Sequence, residues 1–192
     1  MLQAVLLDRD GVINRQRPDY VKSWSEFELL PGALDALHCL AVRNVPVLVI
    51  TNQSCVGRGI VAPSTLDEIH ERLRTLVLHA GGRLDAFYVC PHTPETHCNC
   101  RKPMPGLLLR AARDFQLNLA RCVFVGDALT DYLAARAAGC SPLLVRSGRQ
   151  GPELSDMVSA DVPVVADLAA AVELILCGPV ARSRQQEVRH AV

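Results

Sequence analysis

Short apolar runs alternate with stretches in which apolar residues recur every three or four positions along most of the chain. The runs are bounded by Gly, Pro or polar residues. They predict buried strands over Gln3 to Leu7, Val45 to Ile50, Leu84 to Cys90, Cys122 to Gly126 and Pro142 to Arg146, with a short one around Pro163 to Val165. The helical spacing predicts helices from about Gly32 to Arg43, Ser64 to Ala80, Gly106 to Phe115, Thr130 to Gly139 and Asp167 to Leu176. Pro31 introduces the first, and Ser64 with Asp67 stands at capping-box spacing before the second, which Gly81 and Gly82 stop. Strand and helix in alternation predict an α/β fold, a single Rossmann-like domain with a mostly parallel sheet.

Two segments break the rhythm. Asn14 to Glu28 is polar, and Pro91 to Pro105 holds too many Pro, Cys, His and Asn for regular structure. The inserts between strands one and two and between strands two and three hold loops and a helix only, with no room for a second folded domain, so loops should cover the site with no separate cap domain. Residues 1–177 are read as the domain. The polar, basic and aperiodic residues 178–192 are read as a flexible tail.

Composition changes the picture little. The chain has 192 residues, 49% of them hydrophobic, enough for a sizeable core without staples. Lys+Arg and Asp+Glu number 20 each, which gives no charge footprint for nucleic acid or an anionic membrane. No basic leader with an apolar core precedes the first strand, and no apolar run approaches membrane-spanning length. A cytoplasmic monomer whose partner is a small molecule is the expectation.

Candidate chemistry sits at the ends of the predicted strands. Asp8 and Asp10 follow the first apolar run, and Gly11 lets the chain turn there. Side chains two apart on a strand share a side, so both carboxylates are expected to face one ligand while Arg9 faces away. Two anions so close call for Mg²⁺ and for one carboxyl able to cycle its proton. Val123 to Gly126 ends in Asp127, with Asp131 one helical turn on, and the second strand ends in Thr51, Asn52, Gln53 and Ser54, the last three being candidate substrate contacts. In open parallel sheets ligands bind outside the carboxyl ends of the strands, so these groups should converge, joined by the loop carrying Arg101 and Lys102. Each has a place in phosphate ester cleavage. Asp8 is the nucleophile and Asp10 the general acid and base. Asp8, the Asp10 backbone carbonyl and Asp127 offer oxygens to Mg²⁺. Thr51 and Lys102 donate to the phosphoryl oxygens, and Asp131 orients Lys102 or a metal-bound water.

The elements Asp8-Arg9-Asp10-Gly11, Thr51-Asn52, Lys102 and Gly126-Asp127 with Asp131 resemble, in order, the four motifs of the haloacid dehalogenase superfamily of phosphatases. Within it, the stretch from about Leu2 to Arg146 resembles the D-glycero-D-manno-heptose 1,7-bisphosphate 7-phosphatases and the related histidinol-phosphatases. Thr51-Asn52-Gln53-Ser54, Gly57-Arg58-Gly59 and the Pro-Met-Pro-Gly after Lys102 favour the heptose family. That resemblance implies removal of the 7-phosphate from a sugar bisphosphate through an aspartyl-phosphate. Histidinol-phosphatase and a non-catalytic sugar-phosphate-binding protein are the alternatives. The intact Asp8, Asp10, Lys102 and Asp127 argue against the last. Arg101, Arg58 and Arg17 are available for the phosphate that is not cleaved. The Arg17 to Tyr20 segment corresponds to a substrate-contacting loop of the family, which makes Tyr20 a candidate too. Two positions depart from the pattern. Val12 replaces a frequent Thr, and Ala128 stands where some relatives carry a Lys, which leaves that phosphate contact missing or supplied by Lys102.

Of eight cysteines, Cys90, Cys98 and Cys100 lie close to His92 in the sequence, directly before Arg101 and Lys102. Three thiolates and an imidazole make a closed tetrahedral set for structural Zn²⁺, which would hold the loop so that Arg101 and Lys102 point into the site. The family's zinc loop implies the same ligands; His97 ranks below His92. Cys39, Cys55, Cys122, Cys140 and Cys177 are read as small apolar residues of the core or surface.

Overall fold

The computed structural model describes residues 2–148, 150 and 153–178. Six strands are formed: β1 Ala4–Leu7, β2 Val47–Asn52, β3 Ala86–Cys90, β4 Cys122–Gly126, β5 Ser141–Val145 and β6 Val164–Val165. The helices are α1 Ala33–Val42, α2 Ser54–Gly57, α3 Pro63–His79, α4 Gly106–Asp114, α5 Leu129–Ala138, α6 Leu154–Met157 and α7 Leu168–Cys177. The sheet is parallel throughout, in the order β3-β2-β1-β4-β5-β6.

Strand alternation divides the core between two faces. Val5, Leu7, Val47, Val49, Val123 and Val125 face α1, α7 and the Leu73 and Val77 side of α3. Ala4, Leu6, Leu48, Ile50 and Phe124 face α4 and α5 through Leu107, Leu108, Ala111, Ala134 and Ala135. Val12, the departure in the first motif, is fully buried in the first of these layers, where a methyl suits the site better than a hydroxyl.

Three boundaries differ from the sequence reading for physical reasons. The strand expected over 45–50 runs instead to Asn52, because Thr51 and Asn52 stay in register with Val89 and Cys90 of β3. It also starts later, after Pro46, which has no N–H for a ladder. The predicted Ser64–Asp67 capping box does not form. Pro63 takes the first helical position with Ala62 as the N-cap, and no side chain caps the helix. The short α2 and α6, and the 3₁₀ turns Trp24–Glu26, Pro94–Thr96 and Leu119–Arg121, are too brief to leave a periodic signal.

Among the described residues the two segments that break the rhythm hold loops and single turns, so the sheet edge is covered by loops. Apart from Gly178, the expected tail lies outside the described residues. No described helix is long and apolar enough to cross a membrane.

Candidate active site

The chain leaves β1 for β2 on one side, and later crosses to β4 on the other, so the carboxyl ends of β1, β2 and β4 border the crevice where such sheets bind ligands. A cavity of about 400 Å³ opens there. Asp8, Asp10, Thr51, Asn52, Gln53, Ser54, Arg101, Lys102, Asp127, Arg17 and Tyr20 all line it. Arg58 does not: it points to Glu95, 3.9 Å away on the Cys/His loop.

Lys102 organises the floor. Its Nζ forms ion pairs with Asp8 Oδ1 at 2.8 Å and Asp131 Oδ1 at 2.6 Å and donates to the Ile50 carbonyl at 3.0 Å. The ammonium also lies 5.4 Å from the centre of the Phe124 ring. Burial disfavours its charge, but Asp131 and Asp8 outweigh that and raise its pKa above the usual lysine value. Asn52, read from sequence as a substrate contact, holds the lysine from behind. Its Oδ1 accepts from the Lys102 N–H and its Nδ2 donates to the Lys102 carbonyl, both at 3.1 Å.

The two carboxylates of the first motif are set differently. Burial pushes the Asp8 carboxyl up to about 7 against the pull of Lys102, with Asp131 adding to the rise. Burial also raises Asp10, but Arg9 and the hydrogen bonds from Asn14 and Gln53 overcome it and hold Asp10 below the usual carboxylate range. Four contacts surround Asp10: Arg9 Nη2 at 3.0 and 2.9 Å to its two oxygens, Asn14 Nδ2 at 2.9 Å and Gln53 Nε2 at 2.7 Å. Arg9 therefore does not face away. β1 ends at Leu7, and the Arg9 carbonyl accepts from the N–H groups of Val12, Ile13 and Asn14. The chain is coiling at that point, so the two-residue alternation of a strand no longer applies. Gln53 also donates to Thr51 Oγ1 at 2.8 Å, which leaves that hydroxyl able to donate towards the cavity.

Asp127 stands beside Asp8 and Asp131, with ligand oxygens of all three within 4.8 Å of one another. Asp131 Oδ2 accepts from the N–H groups of Asp127 and Ala128, both at 3.1 Å, so with Lys102 on Oδ1 its oxygens are engaged. Three buried carboxylates cluster here, two of them paired with one ammonium, and the surplus negative charge suits a divalent cation held by Asp8 and Asp127. A Cβ on Gly11 or Gly148 would collide with the Asp127 carboxylate. Sequence reading passed over the Ser147–Gly148 loop, where Ser147 Oγ donates to the Gly11 carbonyl at 2.7 Å. It also passed over Gln150, whose Oε1 accepts from the Leu129 N–H at 2.8 Å and which lines the cavity. Glycine and serine after β5 carry no periodic signal that could have marked them.

The outer wall is more loosely tied. Arg17 Nε reaches the Tyr20 carbonyl at 3.3 Å and Asp19 at 3.4 Å, while Tyr20 Oη lies 3.4 Å from Ser54 Oγ. Arg101 Nη1 donates to the His92 carbonyl at 3.1 Å, which couples it to the Cys/His loop. In that loop the sulfurs of Cys90, Cys98 and Cys100 are 3.3 to 3.6 Å apart, and His92 Nδ1 lies 3.2 Å from Cys100 Sγ and 3.7 Å from Cys90 Sγ. None is in a disulfide. Sulfurs bound to one tetrahedral zinc at ~2.3 Å lie roughly 3.8 Å apart, so this donor set fits the ion.

A parallel sheet that gathers an aspartate pair, a buried lysine and a second acidic strand end around one cavity defines a phosphoryl-transfer hydrolase of the haloacid dehalogenase type, and residues 99–171 match the HAD-hydrolase-like family. A D-glycero-β-D-manno-heptose-1,7-bisphosphate 7-phosphatase of Pseudomonas putida is 41% identical over 91% of this chain and 100% of its own length. A D-glycero-α-D-manno-heptose-1,7-bisphosphate 7-phosphatase of Mycobacterium bovis is 40% identical over 77% of this chain and 82% of its own. The chain belongs to this family of heptose-bisphosphate phosphatases and is a phosphoric monoester hydrolase. The crystal structure of D,D-heptose 1,7-bisphosphate phosphatase from Bordetella bronchiseptica, complexed with magnesium and phosphate, superposes with a TM-score of 0.87 at 39% identity, covering 91% of this chain and 98% of that one.

Proposed function

We propose that this chain removes the 7-phosphate of D-glycero-D-manno-heptose 1,7-bisphosphate, with the β anomer preferred, by way of an aspartyl-phosphate on Asp8. The observation that carries the reading is the cavity floor, where Asp8 lies 2.8 Å from the Lys102 ammonium and Asp10 stands two residues away among four donor contacts. The β anomer is favoured because relatives named for it match 80 to 91% of this chain, against 77% for those named for the α anomer.

An Asp8 carboxylate oxygen attacks phosphorus, and the bond from phosphorus to the sugar oxygen breaks. Asp10 delivers a proton to that oxygen and then takes one from the water that cleaves the acyl phosphate. Its donors keep Asp10 ionised at rest, and an arriving phosphate dianion opposes that, as a like charge does, so that loading the site favours the protonated acid. Lys102 and Thr51 donate to the phosphoryl oxygens, where charge is spread in the transition state. Asp8, Asp127 and the Asp10 carbonyl would hold Mg²⁺, whose charge would screen the nucleophile from the phosphate and favour the ionised form of Asp8. Arg101 and Arg17 on the wall are available to the phosphate that stays. Cys90, His92, Cys98 and Cys100 would hold Zn²⁺, which would fix the loop that ends in Arg101 and Lys102. We place the enzyme in the cytoplasm as a monomer acting on a small soluble substrate.

The test is Mg²⁺-dependent phosphate release from the two heptose bisphosphate anomers and histidinol phosphate in one assay. Higher kcat/KM for the β anomer is expected. Preference for histidinol phosphate, or no turnover of either heptose, would overturn the reading.

A further inference from the structure

Arg9 is 1% exposed, yet its guanidinium is shared between two groups. One terminal nitrogen, Nη2, donates to both oxygens of Asp10; the other, Nη1, lies 3.1 Å from Nε2 of His70 on α3. Arginine has no acceptor, so His70 Nε2 must accept, and the ring is neutral with its proton on Nδ1. His70 is itself 6% exposed and stacks on Phe87 with ring centres 4.4 Å apart and planes 12° apart, which fixes where that acceptor points. Burial, with Arg9 adding to it, pulls its pKa down to about 3, so the ring stays an acceptor across the working range. The phosphoryl-transfer steps above use Arg9 only as one of the donors that keep Asp10 ionised, and do not use His70.

We infer that His70 is a positioning residue for the reaction: by accepting from Arg9 it fixes the guanidinium that aims the Asp10 carboxylate at the leaving sugar oxygen. Without that acceptor Arg9 Nη1 is a buried donor with no partner from α3, and the guanidinium swings to find one. Asp10 then loses its two-oxygen contact and keeps one amide donor on each oxygen, from Asn14 and Gln53, which leaves the carboxylate freer to tilt. Protonation of the leaving group suffers first, because it depends on the direction of one O–H.

This rests on the proposed reaction, so the experiment separates the two. His70→Leu removes the acceptor at similar volume, and His70→Gln restores one through its amide oxygen. The kcat/KM of each is measured on the heptose bisphosphate, whose alkoxide leaves poorly, and on p-nitrophenyl phosphate, whose phenolate leaves without a proton. Expected for His70→Leu is a roughly 10- to 100-fold loss on the sugar substrate and a much smaller loss on the aryl ester, with His70→Gln recovering most of the difference. Equal losses on both esters, no loss on either, or a His70→Gln as impaired as His70→Leu would overturn the inference. Inactive wild-type protein counts against the proposed reaction instead. Crystal structures of wild type and His70→Leu then decide: an Asp10 carboxylate and Arg9 guanidinium unmoved in the variant overturns the inference, and a swung pair supports it.

Discussion

The acidic floor and the Cys/His loop both gather metal-ligand residues at strand ends, and they finish in opposite states. On the floor, Asp8 and Asp131 share one ammonium, Asp127 stands beside them, and Asp8 and Asp127 open onto a cavity of about 400 Å³. In the loop, three sulfurs and one ring nitrogen face one another at 3.2 to 3.7 Å, beginning at Cys90 as β3 ends. An open acidic set leaves coordination positions for water and phosphate, which suits a reversible hard cation. A closed thiolate set leaves none, which suits an ion that holds shape. What joins them is a two-residue step from Cys100 to Lys102, whose backbone Asn52 clamps to the end of β2. Chemistry is thereby assigned to one region and placement to the other.

The largest effect that would break this division is at the floor. Asp8→Ala is expected to abolish phosphate release, by at least about 10⁴-fold, because it removes the atom that bonds to phosphorus. Asp10→Asn should keep the fold and the cavity and lose about 10²- to 10⁴-fold in kcat, since only proton transfer is removed. Undiminished turnover by either variant in a phosphate-release assay would refute the assignment.

Lys102→Met comes next. It leaves Asp8 and Asp131 buried without their cation, and removing one partner of a buried pair costs about 3–5 kcal/mol. A lowered thermal midpoint together with a drop in kcat is expected. Adding Asp131→Asn should recover part of the stability and none of the activity, because it removes the stranded charge without replacing the donor. A double variant no more stable than the single one would show that the lysine does not neutralise Asp131.

The two regions were unequally legible in the sequence. β1, β2 and β4 are central strands buried on both faces, so their apolar runs and the polar residues after them could be read directly. The spacing of Cys90, His92, Cys98 and Cys100 pointed to one cluster because thiolates and imidazole so dense have few other uses. What stayed hidden depends on directions taken after a strand ends. Arg9 turns to Asp10 because the backbone coils at Gly11, and His70 meets Arg9 across 61 positions of sequence. Asn52 and Gln53 were legible as polar strand-end groups, but their amides are spent on Lys102, Thr51 and Asp10, a matter of packing that residue type does not encode. Arg58 offered the same charge as Arg17 and Arg101, and only the three-dimensional path of α2 carries it off the cavity.

Zinc removal sharpens the comparison at smaller amplitude. A chelator strong enough to strip thiolate-bound zinc, or Cys100→Ser, should lower kcat/KM by roughly 10- to 100-fold and reduce the thermal midpoint, because Arg101 and Lys102 lose a fixed anchor. Mg²⁺ added back should not restore either. If Mg²⁺ alone restores full activity to zinc-free protein, the loop does not position the floor.

The smallest effect is expected at Arg58. Its side chain is 41% exposed and its guanidinium lies 3.9 Å from the carboxylate of Glu95, whose side chain is 71% exposed, a geometry in which an ion pair contributes little. Arg58→Ala should therefore leave kcat/KM on the heptose bisphosphate within about twofold, while Arg17→Ala, on the cavity wall, raises KM more than it lowers kcat. The contrast matters because both arginines carry the same charge and both flank the site in sequence. A large KM effect at Arg58 with none at Arg17 would mean that the α2 turn closes over the bound sugar, and that the wall of the cavity, unlike its floor, is not yet in its working position before substrate arrives.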